Sequence, residues 1–245
     1  MEDKSYDLYT WDLDALAIVI RYFLFAGIAY FIFYNPKRAM KNLVKIQISS
    51  PPSGIIGKEI LYSCLTLFIY CAVSWCIFRW QQSGITRIYL DIYPRGYPYL
   101  MLSILLMVLL HDTYFYWTHR LLHLPKVFEV IHKTHHLSQN PTPWAAFSFH
   151  PVEAVISAGI VPLIVFIIPC HPLALFTFLT YMTVINVIGH LGFEIFPEFI
   201  NHHKILRWQN TSTNHNWHHQ KCRNNYGLYF TFWDRMMKTY HLRNK

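Results

Sequence analysis

Five apolar stretches, at about 15–34, 60–78, 97–117, 152–169 and 172–195, constrain this chain more than any other feature. Each approaches the roughly 20 residues that a helix needs to cross a bilayer. Composition agrees: 53% of the 245 residues are hydrophobic and only 14% are charged, against about 25% charged in an ordinary soluble domain. The expected fold class is therefore all-α, a polytopic transmembrane helical bundle with a histidine-rich metal-binding cap on its cytosolic side. A disordered chain and a small disulfide-stapled fold are both excluded. The five cysteines form no CxxC pair and read as reduced thiols in lipid or helix contacts.

The first stretch follows an acidic lead (Glu2, Asp3, Asp7, Asp12, Asp14) rather than the basic one of a signal peptide, so it is expected to stay as a span. Arg21 within it must face protein or snorkel to the interface. Only Cys170 and His171, between Pro169 and Pro172, separate the last two stretches, which predicts a tight helical hairpin. Lys/Arg counts orient the spans. With the lead outside, the 35–58 loop, the 119–150 segment and the tail after Phe196 lie inside and carry sixteen basic residues against four outside. The net charge of +8 follows from these loops, and no basic stripe of a nucleic-acid binder accompanies it.

Histidine is the second anomaly: 15 residues, more than the 13 acidic ones together. Three clusters hold most of the chemistry. They are HRLLH at His119 and His123 (with His111 eight residues earlier), HKTHH at His132, His135 and His136, and HNWHH at His215, His218 and His219. Residues three and four apart share a helix face, so each cluster presents converging imidazoles at one membrane face. Neutral imidazole ligates Zn, Cu, Fe or Ni. Eight such groups exceed the three or four ligands of one tetrahedral zinc and suit two octahedral ions with open positions. The HExxH zinc-protease motif is absent, and so is the Glu/ExxH set of soluble di-iron bundles. Asp112, Glu153, Glu194 and Asp234 are candidates to accept an imidazole N–H. His150 and His171 read as helix caps or structural residues, and His202, His203 and His241 as surface groups. Residues 114–117 read as packing aromatics.

Taken together, HDTYFYWTHRLLH (111–123), HKTHH (132–136), FHPVE (149–153), NVIGH (186–190), HNWHH (215–219) and NNYGLYFTFWDRMMKTY (224–240) resemble the fatty acid hydroxylase/sterol desaturase superfamily, nearest its sterol C5-desaturase-like branch. The resemblance covers about 98–240. It marks 98–245 as the catalytic region and leaves 1–97 as an N-terminal transmembrane region of the same structural domain. It implies a non-haem di-iron centre of two Fe ions, with O₂ as co-substrate, that desaturates or hydroxylates a C–H bond of a membrane lipid, a sterol or related lipid foremost. The ligands it implies are His119, His123, His132, His135, His136, His215, His218 and His219, with His190 as the family's additional histidine and His111 as the first residue of that branch's opening motif. Asn186 stands where some relatives carry a further histidine.

No fused electron-transfer domain fits in this length, so a separate donor, cytochrome b5-like or ferredoxin-like, with its reductase, is expected on the basic inner face. The expected location is a multi-pass one, in the endoplasmic reticulum of a eukaryote or the inner membrane of a bacterium. The same iron site would also serve a fatty-acyl, sphingolipid or carotenoid hydroxylase, or an ether-lipid monooxygenase. A haem protein would place single axial histidines on facing spans, and a metal transporter would scatter ligands near the midplane within repeats. Neither pattern is present.

Overall fold

The computed structural model describes residues 10–35, 43–47 and 49–242; the acidic lead through Asp7 and the basic Lys37, Arg38 and Lys41 lie outside them. Among the described residues, four helices are long and apolar enough to cross a membrane. They are α1 (Trp11–Phe33), α2 (Ile55–Gln82), α3 (Gly96–Leu122) and, later in the chain, α7 (Pro172–Gly189). Between α3 and α7 lie the short α4 (Lys133–His136), α5 (Pro151–Ala158) and α6 (Ile160–Ile167). Beyond α7 come α8 (Ser212–Lys221) and α9 (Phe232–Met236).

The stretch expected as the fourth span is broken. Helices α5 and α6 together cover 17 residues, about 25 Å of helix, less than the roughly 30 Å hydrocarbon core. Pro162 has no N–H to give the carbonyl of Ala158, which interrupts the ladder beside Gly159. The Tyr114 hydroxyl donates to the Ile156 carbonyl at the same joint, 2.6 Å away.

Contacts sort the helix ends as the charge pattern predicts. At one end the 83–95 loop meets the hairpin turn, with Tyr89 N–H donating to the Cys170 carbonyl (3.1 Å) and Tyr99 Oη to the Pro169 carbonyl (3.0 Å). There His171 caps α7 by accepting from Leu173 N–H. At the other end β1 (Val44–Lys45) pairs antiparallel with β2 (Phe193–Glu194), and Gln47 Nε2 donates to the Pro141 carbonyl at 2.7 Å. The C-termini of α1, α3 and α7 and the N-terminus of α2 all meet at this second end, where the histidines lie. Arg21 faces protein: it is buried, with its guanidinium 6.0 Å from the Phe176 ring. All five cysteines are free thiols.

Candidate metal centre

Each histidine is placed by a local structural device. His119 lies in the last turn of α3 and His123 is its C-cap. His132 closes a π-turn over Phe128–His132, from which α4 carries His135 and His136. His190 is the C-cap of α7. His215, His218 and His219 lie on α8, whose N-cap Thr211 accepts from Asn214 N–H.

Nine of the ten histidines singled out by sequence converge into two groups. One is His119, His123, His132, His136 and His218; the other is His135, His190, His215 and His219. Within each group the ligand nitrogens all lie within 4.8 Å of one another. Each HxxHH motif divides between the groups instead of converging on one. His132 and His136 enter the first and His135 the second, while His215 and His219 enter the second and His218 the first. Only His123 is half-exposed; the other eight are buried.

The proton positions decide what these groups can hold. His119 Nδ1–H donates to the Tyr226 carbonyl (2.9 Å), His218 Nδ1–H to the Asn224 carbonyl (2.7 Å) and His190 Nδ1–H to the Asn186 carbonyl (2.7 Å). His132 Nδ1–H donates to Glu153 Oε1 at 2.8 Å. Carbonyl acceptors fix the proton on Nδ1 and leave Nε2 as a bare lone pair. Those lone pairs then face other imidazoles: Nε2 to Nε2 distances are 3.1 Å for His119 and His132, 3.1 Å for His123 and His218, and 3.2 Å for His190 and His215. In the first of these pairs both protons are committed elsewhere, so two acceptors oppose each other.

A cation between them removes that conflict. Two nitrogens each about 2.1 Å from one ion at right angles stand about 3 Å apart. His136 Nε2 and both ring nitrogens of His219 are also buried without hydrogen-bond partners. Burial pushes His132, His135, His136, His215, His218 and His219 well below the usual imidazole range and His190 down to about 4, with neighbouring imidazoles adding to the effect on all but His190. They are therefore neutral at pH 7, the form in which imidazole can ligate a metal. The donor set fits divalent first-row metals such as iron, and the distal N–H bonds to carbonyl and carboxylate are the supporting contacts such sites require.

His111 stands apart from both groups. Its Nδ1 lies 2.8 Å from Tyr229 Oη, and it lines a mainly apolar cleft beneath the histidines. Of the four carboxylates considered as imidazole partners, Glu153 alone takes that role. Asp112 accepts from Tyr229 and Phe230 N–H, Asp234 from Tyr226 and Gly227 N–H, and Glu194 from Thr213. These bonds fold the 224–240 segment and α8 against the centre. His150 caps α5 by accepting from Val152 N–H. Tyr114 and Phe115, read from sequence as packing residues, line the cleft together with Glu153, Ser157 and Asn186. Sequence reasoning missed Tyr226, Asn224 and Ser148, because they act through main-chain carbonyls that carry no residue signature.

Fold and site together define a helical membrane protein with two histidine groups suited to metal over an apolar cleft. A sequence profile described as fatty acid hydroxylase matches residues 104–239. Lathosterol oxidase of Mus musculus is 31% identical over 226 residues, covering 90% of this chain and 71% of the relative. A Delta(7)-sterol 5(6)-desaturase of Aspergillus fumigatus is 30% identical over 248 residues, 91% and 72% of the two chains. Another, of Gibberella zeae, is 29% identical over 221 residues, 87% and 62%. No solved structure matches. The chain belongs to the fatty acid hydroxylase family.

Proposed function

We propose that this protein is a membrane-bound oxidoreductase that uses two non-haem iron ions and O₂ to desaturate or hydroxylate a C–H bond of a membrane lipid, a sterol foremost. The observation that carries this reading is the pair of adjoining all-imidazole groups, with lone pairs opposed, above an apolar cleft. His119, His123, His132, His136 and His218 would hold one iron, and His135, His190, His215 and His219 the other. Bound iron supplies O₂ activation and the oxidation of an unactivated C–H bond. His111 stays in the cleft wall as a partner of Tyr229 rather than a ligand.

The chain's own contribution is orientation and exclusion of water. Glu153 fixes the His132 ring, and the carbonyls of Tyr226, Asn224 and Asn186 fix His119, His218 and His190. Phe115, Leu122, Phe149 and Ile156 line the cleft, so a reacting lipid carbon is held close and dry. Electrons come from a separate donor of cytochrome b5 or ferredoxin type, with its reductase, at the histidine end. That end faces the cytosol, in the endoplasmic reticulum of a eukaryote or the inner membrane of a bacterium.

Iron and zinc per chain after anaerobic reconstitution, in wild type and in His135→Ala/His218→Ala, test the reading. Close to two irons, lost in the variant, support it. Lipid profiling of cells expressing the protein then separates desaturated from hydroxylated products. One tightly held zinc, or iron only as haem, overturns it.

A further inference from the structure

The cleft under the histidines is not the only cavity along α5 and α6. A second, partly open one lies between α1, α2, α5, α6 and α7. Its walls include Ile18, Val73, Val161, Leu179 and Met182, and its lining is almost wholly hydrocarbon. Ser157 lines both cavities. Its hydroxyl lies 2.9 Å from the hydroxyl of Tyr70, which also lines the second one. One turn of chain therefore separates the two spaces, and a single side-chain hydrogen bond spans it.

The spacing along the chain fits a continuous track. Glu153 and Ser157, four residues apart, share one face of α5, and Val161 follows beyond the helix break on α6. Glu153 belongs to the histidine end, Ser157 to the partition and Val161 to the second cavity. The helix break falls within this track, and two tyrosines steady it from opposite sides: Tyr70 on Ser157 and Tyr114 on the Ile156 carbonyl.

We infer that the second cavity receives the hydrocarbon end of the lipid whose reacting carbon lies under the histidines, and that Tyr70 and Ser157 form the partition it passes. The occupant is fixed by chemistry and continuity. A cavity with an apolar lining at membrane depth, joined to the reaction cleft by a shared wall residue, suits an uncharged chain and rejects a headgroup. This assignment rests on the lipid-oxidation reading above. It adds that the substrate carries an apolar segment on the membrane side of the reacting carbon, as a sterol does when its side chain points away from the metals. Residues around Val161 then set which lipids fit.

Two measurements on the iron-loaded, full-length protein with a working electron donor test this. In the first, wild type and Val161→Trp are compared on a 3-hydroxysterol with its full side chain and on the same sterol with the side chain removed. Filling the cavity is expected to lower kcat/KM for the full-length sterol by about tenfold or more and to leave the truncated one within about threefold. Equal loss on both, with iron content intact, or no loss on either, overturns the assignment. The second measurement needs no variant. A 3-hydroxysterol bearing a diazirine at the end of its side chain is photolysed on wild type, and the labelled peptides are mapped. Label on the segments containing Val73 or Val161 supports the assignment; label confined to the histidine cap or to α3 overturns it. Iron-loaded wild type that oxidises neither sterol defeats the sterol reading itself, a result distinct from oxidation without discrimination at Val161.

Discussion

Replacing Glu153 probes the first histidine group at the one point where a carboxylate supports it. Glu153 Oε1 accepts from His132 Nδ1–H at 2.8 Å, and both side chains are almost fully buried. Glu153→Leu keeps the bulk and removes the acceptor. It leaves the imidazole N–H buried and unpaired, a loss of about 1–3 kcal/mol. At about 1.4 kcal/mol per tenfold, this weakens iron binding at that group by roughly 5- to 150-fold, overlapping the 10- to 100-fold typical of such supporting contacts. Glu153→Gln keeps a carbonyl acceptor at about half the strength, so its loss is smaller, about 2- to 12-fold. None of His135, His190, His215 and His219 bonds to Glu153, which makes the second group an internal control. Chelation of anaerobically loaded protein, followed by iron analysis, resolves the outcome. In Glu153→Leu one iron leaves early and the other behaves as in wild type. Unchanged retention of both, or equal weakening of both, refutes the assignment of Glu153 to a single group.

Other expectations follow from the same contacts. The buried histidines are held neutral, His190 down to about 4 and six others well below their usual range, while in the unfolded chain each returns to about 6.5. Below about pH 6.5 the unfolded state binds more protons, so the metal-free protein loses stability as pH falls, by about 1.4 kcal/mol per pH unit for each histidine. Thermal melts in detergent should be flat above about pH 7 and fall steeply toward about pH 5; a flat profile throughout contradicts the burial of neutral imidazoles. Asp112→Leu strands the Tyr229 and Phe230 amides and should cost about 2–4 kcal/mol, with Asp112→Asn less damaging, read as midpoints in denaturant. A methyl on Gly227 would press into the Phe230 carbonyl oxygen, a backbone atom, whereas on Gly159 it would meet the Tyr114 hydroxyl at 2.8 Å and the Ile156 carbonyl at 3.1 Å. Gly227→Ala should therefore lower the melting temperature more than Gly159→Ala, each costing about 1–3 kcal/mol.

Much of the site was legible because its chemistry resides in side chains at helical spacing. The three histidine motifs, their common membrane end and the order of the spans all follow from apolar length, charge bias and i, i+4 geometry. His190 came from resemblance and not from spacing, since no neighbouring histidine marks it. The break in the fourth span escaped the reading because 152–169 is predominantly apolar in spite of Glu153, Ser157 and Pro162. What interrupts it is the missing N–H of Pro162 together with a hydroxyl brought in from α3, and hydropathy registers neither. Of four carboxylates near the motifs, burial and distance select Glu153 for the imidazole and turn the other three to backbone amides. Sequence could not choose among them, because the choice depends on where the 224–240 segment folds back.

The doubled histidine in each HxxHH motif has a physical purpose that a count of ligands hides. Successive helical residues are turned by about 100°, whereas residues four apart differ by only about 40°. His132 and His136 can therefore serve one group, while His135, next to His136 in sequence, turns toward the other. The second motif is the mirror case, with His215 and His219 together and His218 opposite. Helices α4 and α8 thus each reach both groups, and their motifs supply three of the five residues of one and three of the four of the other, so neither group can shift without moving most of its neighbour. An HxxxH motif, with its histidines four apart, would supply only one group from each helix and leave the spacing between the groups to loops. His135→Ala/His218→Ala removes one residue from each group. An unchanged far-ultraviolet circular dichroism spectrum of that variant separates loss of ligation from a collapsed helix.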